Sequence, residues 1–84
     1  MRRLRLDAEE LAYIDLKSAR EHFTDDQIEV LQTLSQKPMG VDDIAELSQI
    51  PVRRVLSALT VLEIEELVRQ ESGSRYTLRA VLTE

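Results

Sequence analysis

The sequence predicts a single, mainly α-helical domain closed by a small β-hairpin. Apolar residues recur at helical spacing in Ile28-Leu31-Leu34, Ile44-Ala45-Leu47 and Val55-Ala58-Leu59-Leu62. Two β-prone runs, Leu67–Gln70 and Arg75–Leu78, flank Glu71-Ser72-Gly73-Ser74, which holds the glycine a hairpin needs. The chain has 84 residues and no Cys. That length allows one modest core, and the missing Cys excludes a disulfide framework or a thiolate-ligated metal.

The first helix is expected from about Asp7 to His22, with Asp7 as its cap and Glu9 and Glu10 in its first turn. Leu4, Ala8, Leu11, Ile14 and Ser18 would share one face, with Tyr13 and Leu16 on the other. Two apolar sides suggest contact with a second body. Arg2-Arg3-Leu4-Arg5-Leu6 alternates, as a short strand or a frayed end would. His22, the sole His, is read as a side chain at the helix C-terminus.

Thr24-Asp25-Asp26-Gln27 fits a capping box, and Phe23 and Ile28 have the spacing of a hydrophobic staple. The second helix therefore starts after Thr24 and ends at Lys37-Pro38. Met39-Gly40-Val41 reads as an extended link. Asp42 would cap a third helix, Asp43 to about Ser48, burying Ile44, Ala45 and Leu47. Pro51 suits the first turn of a fourth helix running to about Glu63. At 100° per residue Val55, Ala58, Leu59 and Leu62 face the core. Arg53, Ser57 and Thr60 lie opposite, with Arg54 and Val61 beside them. Ala80-Val81-Leu82 extends the second hairpin strand or forms a tail. Residues 1–23 thus form an N-terminal helical extension and 24–84 the domain proper.

Short helix, turn, longer helix and hairpin is the order of a winged helix-turn-helix, here preceded by an extra N-terminal helix. In that fold the exposed face of the longer helix can enter a DNA major groove while the hairpin reaches a neighbouring backbone. The predicted DNA-binding residues are Arg53, Arg54, Ser57, Thr60, Arg69 and Arg75, with Arg79 a further strand cation. Arg53-Ser57-Thr60 offers one charge and two small hydroxyls to a duplex. Arg54 and Arg75 are placed to reach phosphates. Tyr76 is read as a packing residue.

Asp42-Asp43-Ile44-Ala45-Glu46-Leu47, Ile50-Pro51-Val52, Val55 to Glu63 and Leu67-Val68-Arg69-Gln70 resemble the C-terminal winged-helix domain of the bacterial DNA-processing protein DprA (Smf). Gly73-Ser74-Arg75-Tyr76 is similar to that domain's wing. The resemblance spans roughly 24–79. It implies cytoplasmic DNA processing during uptake and recombination, with single-stranded DNA and the RecA recombinase as partners. The family often has Gly immediately before the first wing strand, where this chain has Glu66. The Rossmann-like domain that carries the family's main DNA binding is absent from this sequence. The chain is thus expected to be an excised appendage or a standalone relative.

Eleven Lys and Arg against sixteen Asp and Glu give a net charge of −5, which disfavours indiscriminate nucleic-acid binding. The charge is uneven. Arg53 and Arg54 sit together with no acid between Glu46 and Glu63, and Arg69, Arg75 and Arg79 face only Glu71 until the C-terminus. The acidic total, Glu63-Glu65-Glu66, and the outward Val61 and Ile64 point instead to a protein partner, or to a homodimer through the N-terminal helix. Both readings stay open: a DNA-binding domain, duplex or single-stranded, and a protein-interaction module.

Catalysis is not expected. With no Cys and no Gly-rich phosphate loop, acid pairs are the remaining candidates. Asp25-Asp26, Asp42-Asp43 and Glu65-Glu66 are sequential neighbours, which do not face each other on a helix. Nothing in the spacing gathers a metal cage, and no cofactor or small-molecule substrate is implied. No apolar run approaches the ~18 residues of a membrane span. No secretory signal is recognised, so the expected location is the cytoplasm.

Overall fold

The computed structural model describes residues 11–83, in the order β1 (Ala12–Asp15), α1 (Leu16–Ala19), α2 (Asp25–Leu34), α3 (Val41–Ser48), α4 (Val52–Ile64), β2 (Val68–Glu71), β3 (Arg75–Leu78) and β4 (Ala80–Thr83). From α2 to β3 this is the winged helix-turn-helix. Arg2–Leu6 and the expected Asp7 cap lie outside the described residues.

The capping box at α2 is complete. Gln27 N–H donates to Thr24 Oγ1 at 3.1 Å, and Thr24 N–H donates to Gln27 Oε1 at 3.1 Å. Ile28 is buried, and Phe23 is partly buried against the core. Ile28, Val30, Leu31 and Leu34 place the inner face of α2 in the centre of the molecule. Val55, Ala58, Leu59 and Leu62 of α4 are all buried, as their spacing predicts. The largest fully buried side chains are Leu31, Ile44, Leu59, Leu62, Val30 and Val55, so α2, α3 and α4 supply the heart of the core.

Where it is described, the helix expected over 7–22 divides into a strand, a single helical turn and the turn that follows. Ala12–Asp15 pairs in parallel with β4, Ala12 opposite Ala80 and Asp15 opposite Thr83. Long-range pairing has overridden the local helical pattern, because the apolar run Ala80-Val81-Leu82 needs a strand beside it. Among the described residues the extra N-terminal helix is the single turn α1. Asp15 rather than Asp7 caps it here, accepting the Lys17 N–H at 2.9 Å. His22 therefore sits in the turn beyond α1, not in the last turn of a long helix. Ala80–Thr83 is a separate strand, neither a tail nor an extension of β3.

Two other helix starts are corrected. α3 begins at Val41 with Gly40 as its N-cap, and no side chain closes the cap. Gly40 C=O accepts the Ile44 N–H at 3.0 Å, which moves Asp42 and Asp43 into the first turn, where the dipole favours them. α4 begins at Val52 because Pro51 is itself the cap, its C=O accepting from Arg54 and Val55. Ile44 is buried as expected, but Leu47, also expected in the core, is 55% exposed, because the inner face of α3 runs through Val41, Ile44, Ala45 and Ser48 and leaves Leu47 to one side.

Backbone devices set the turns. Gln49 ends α3 in the left-handed region at φ 61°. Its N–H donates to Ala45 C=O, and the chain reverses into α4 within three residues. At the end of α4, Leu67 N–H donates to Leu62 C=O and Glu66 N–H to Glu63 C=O, both at 2.9 Å. This is a Schellman motif, with buried Leu62 and Leu67 as its apolar pair and Glu66 at φ 64°. It aims the chain directly into β2. In the wing β2 and β3 pair antiparallel, Val68 opposite Leu78 and Glu71 opposite Arg75. Met39 adds a one-residue third strand, exchanging both backbone hydrogen bonds with Tyr76. Tyr76 is buried, the packing role its position predicts, and that burial, reinforced by Glu63, raises its phenol above the usual range.

A glutamate holds a left-handed conformation at position 66 only against its Cβ, a strain of roughly 1–2 kcal/mol in L-residues. Glu66→Gly is expected to stabilise the domain by about 0.5–1 kcal/mol, net of the added freedom of the unfolded chain. Glu66→Gln, which removes the charge but keeps the strain, is expected to leave stability near wild type. Urea unfolding of both variants checks this.

Candidate nucleic-acid interface

Burying four residues of α4 leaves Val52, Arg53, Leu56, Ser57, Thr60, Val61 and Ile64 on its outer side. On a helical projection Arg53, Ser57, Thr60 and Ile64 lie along the centre of that side, opposite the core. The ridge Arg53-Ser57-Thr60 is exposed throughout. The small side chains at 57 and 60 keep it low, which permits close approach to a flat or grooved partner. Thr60 Oγ1 donates to Leu56 C=O at 2.9 Å, so its hydroxyl proton is already committed to its own helix.

Arg54 stands apart from this ridge. Its Nε donates to Asp26 Oδ2 and its Nη2 to Asp26 Oδ1, both at 2.8 Å. This two-pronged pair ties the first turn of α2 to the first turn of α4. The hydrogen bond from Arg54 holds the Asp26 carboxyl below its usual range, and the same bond raises the guanidinium. Arg54 remains 59% exposed. It reaches a phosphate only by sharing or leaving Asp26.

In the wing, Arg69 lies 3.9 Å from Glu71 on the same strand, a loose ion pair. Arg75 opens β3, exposed and directly across from Glu71. Arg79 is half-buried, and its N–H continues the wing ladder by donating to Leu67 C=O at 2.7 Å. The six predicted site residues therefore divide into three groups. Arg53, Ser57 and Thr60 share one ridge, Arg69 and Arg75 belong to the wing, and Arg54 is bound to α2.

Sequence reasoning missed Asp26 as the partner of Arg54. It also missed the exposed apolar residues Leu47, Val52 and Leu56, while Val61 and Ile64 are exposed as read. Val52 and Leu56 carried a usable signal, since both lie outside the buried stripe of α4. Asp26 carried none, being 28 residues away from Arg54.

The family model of the DprA winged helix domain matches residues 15–74, from the cap of α1 to the turn of the wing. The chain belongs to that family. No curated protein and no solved structure gives a significant match. The match to this DprA winged-helix domain includes both residues of the Asp26–Arg54 pair and the whole of α4. It also includes Glu66, whose backbone is left-handed at φ 64°. Among the described residues no helix is long and apolar enough to cross a membrane.

Because Asp26 titrates below its ordinary value of 3.8 in the folded domain, its pairing stabilises the fold above that pH. The contribution is lost as pH falls through the folded value. Asp26→Asn is therefore expected to be less stable than wild type at pH 7, and the gap to close as the solution is acidified below about 4. Denaturant unfolding across that range measures both the sign and the window.

Proposed function

We propose that this domain is a non-catalytic DNA-contacting module acting in the cytoplasm, in the DNA processing of uptake and recombination that its family suggests. The observation that carries the reading is the low, exposed ridge Arg53-Ser57-Thr60 on the helix that follows the tight turn. Arg53 would meet the backbone at the mouth of a major groove while Ser57 and Thr60 approach base edges or sugars. Arg75, and Arg69 behind it, would touch phosphates from the wing. Such a surface makes about two to four phosphate contacts, so binding should be modest and fall steeply with salt. The acidic surface elsewhere, including Asp42, Asp43 and Glu46 on α3, further limits affinity.

Fluorescence anisotropy with duplex and single-stranded oligonucleotides at low salt tests this. Arg53→Ala with Arg75→Ala is expected to weaken binding about tenfold or more and to reduce the salt slope by roughly 2. Asp26→Asn, which releases Arg54, is expected to strengthen binding severalfold. Unchanged affinity in the double variant would remove α4 and the wing from the interface.

A second reading is favoured by one specific observation, the exposure of Leu47, Val52, Leu56, Val61 and Ile64 on and beside the same helix. That is more apolar surface than a phosphate-facing helix needs, and it suits a protein partner or a second copy. Val52→Ser with Leu56→Ser separates the readings. It would abolish protein or self-association while leaving the arginine-dependent salt slope intact.

A further inference from the structure

A cleft of about 630 Å³ lies away from the DNA-facing ridge, where β1, the α1–α2 turn and the C-terminal end of α4 meet. All four residues of β1 line it, together with His22, Phe23, Glu65 and Leu67. Successive strand residues point to opposite faces, so a cleft that touches four in a row opens onto the strand's edge. β4 occupies one edge of β1, and among the described residues the other edge has no strand beside it.

The polarity of that edge can be read from one hydrogen bond. Thr83 Oγ1 donates to Ile14 C=O at 3.3 Å, so that carbonyl points toward β4. Alternation then turns the N–H and C=O of Tyr13 and the N–H of Asp15 to the cleft. The Asp15 carbonyl is taken into the start of α1, where Ser18 Oγ donates to it. Tyr13 at 76% and Ile64 at 75% exposure are the most exposed large apolar side chains among the described residues. Tyr13 lines the cleft, and Ile64 immediately precedes Glu65 in its wall. The apolar floor comes from Phe23 and Leu67. The carboxylates come from Glu65 and Asp15, with Glu63 and Glu66 beside Glu65 in the chain.

We infer that this cleft binds an extended peptide segment of a partner protein, one that alternates apolar and basic residues and adds as a strand to the outer edge of β1. Backbone bonds to Tyr13 and Asp15 supply the register. Apolar side chains cover Tyr13, Phe23 and Leu67, and basic ones meet the carboxylates at the end of α4. An edge that, among the described residues, has no strand beside it is otherwise a liability, and a bound strand removes it.

The test uses the full chain, ¹⁵N-labelled, titrated with the blocked hexapeptide Arg-Val-Arg-Val-Arg-Val. The expected result is saturable shifts confined to residues 12–23 and 64–67, with the Tyr13 and Asp15 amides newly protected from hydrogen exchange. N-methylation of alternate peptide residues should abolish binding in one phase and spare it in the other, since only one set of amides faces β1. Glu65→Lys lies at an exposed helix end, so it keeps the fold, and should weaken binding roughly tenfold. Four results would each overturn the proposal: no shifts at about 1 mM peptide; equal binding by both methylated peptides; shifts that map to the ridge of α4; or the same edge protection produced by raising the chain's own concentration without peptide. The last would assign the edge to a second copy.

Discussion

Burial of Val55, Ala58, Leu59 and Leu62 against the inner faces of α2 and α3 fixes which side of α4 meets solvent, and much else follows from it. A fully buried Leu or Val contributes roughly 1.5–3 kcal/mol, so rotating α4 by even one residue position would forfeit several kcal/mol. That penalty holds the ridge Arg53-Ser57-Thr60 outward without any bond to the ridge itself. Ala58 among larger neighbours lets the helices approach closely. Leu62 is used twice, once in the core and once as the apolar partner of Leu67 in the Schellman turn. Through that turn the register of α4 also sets where the wing begins. The direction of the hairpin is thus a consequence of core packing, and Met39, bonded to Tyr76 on both sides, locks it.

The features legible in the sequence are those whose cause is local. Thr24, Gln27, Phe23 and Ile28 lie within six residues; the capping box forms as its spacing predicts, and Ile28 and Phe23 both turn to the core. The buried stripe of α4 is a periodicity, so its complement, the exposed ridge, was legible with it. Missed features depend on distant partners. Ala12–Asp15 is a strand because Ala80–Thr83 lies beside it, and no window around residue 12 contains that fact. Arg54 reads as a free surface cation until Asp26 is found, 28 residues upstream, on a different helix. The α3 boundary failed for a different reason. Gly40 and Asp42 are both competent caps, and local chemistry alone does not choose between a backbone cap and a side-chain cap two residues later.

The Asp26–Arg54 pair illustrates how charge in this domain serves structure and surface together. A bidentate pair between the first turns of α2 and α4 puts a carboxylate near the positive end of α4 and neutralises a guanidinium that would otherwise broaden the basic face. A surface pair of this kind, its arginine still open to solvent, adds little stability, because water screens it and ordering two side chains costs entropy. Its effect on recognition is larger, since it decides whether a cation is presented or withheld.

The two proposed surfaces sit at opposite ends of one helix. Twelve residues separate Arg53 from Glu65, roughly 18 Å along the axis. At the first end the helix dipole and Arg53 make the environment favourable to anions, while Asp26 withholds Arg54. At the other the dipole reverses, and Glu63, Glu65 and Glu66 add negative charge that repels a phosphate backbone and attracts a basic peptide. Charge and dipole thus run in the same direction along α4, in keeping with the separate class of partner proposed for each end. A duplex at the ridge and a strand at β1 do not compete for the same atoms. The net charge of −5 is then better understood as two local surfaces of opposite preference, placed apart by the length of a single helix.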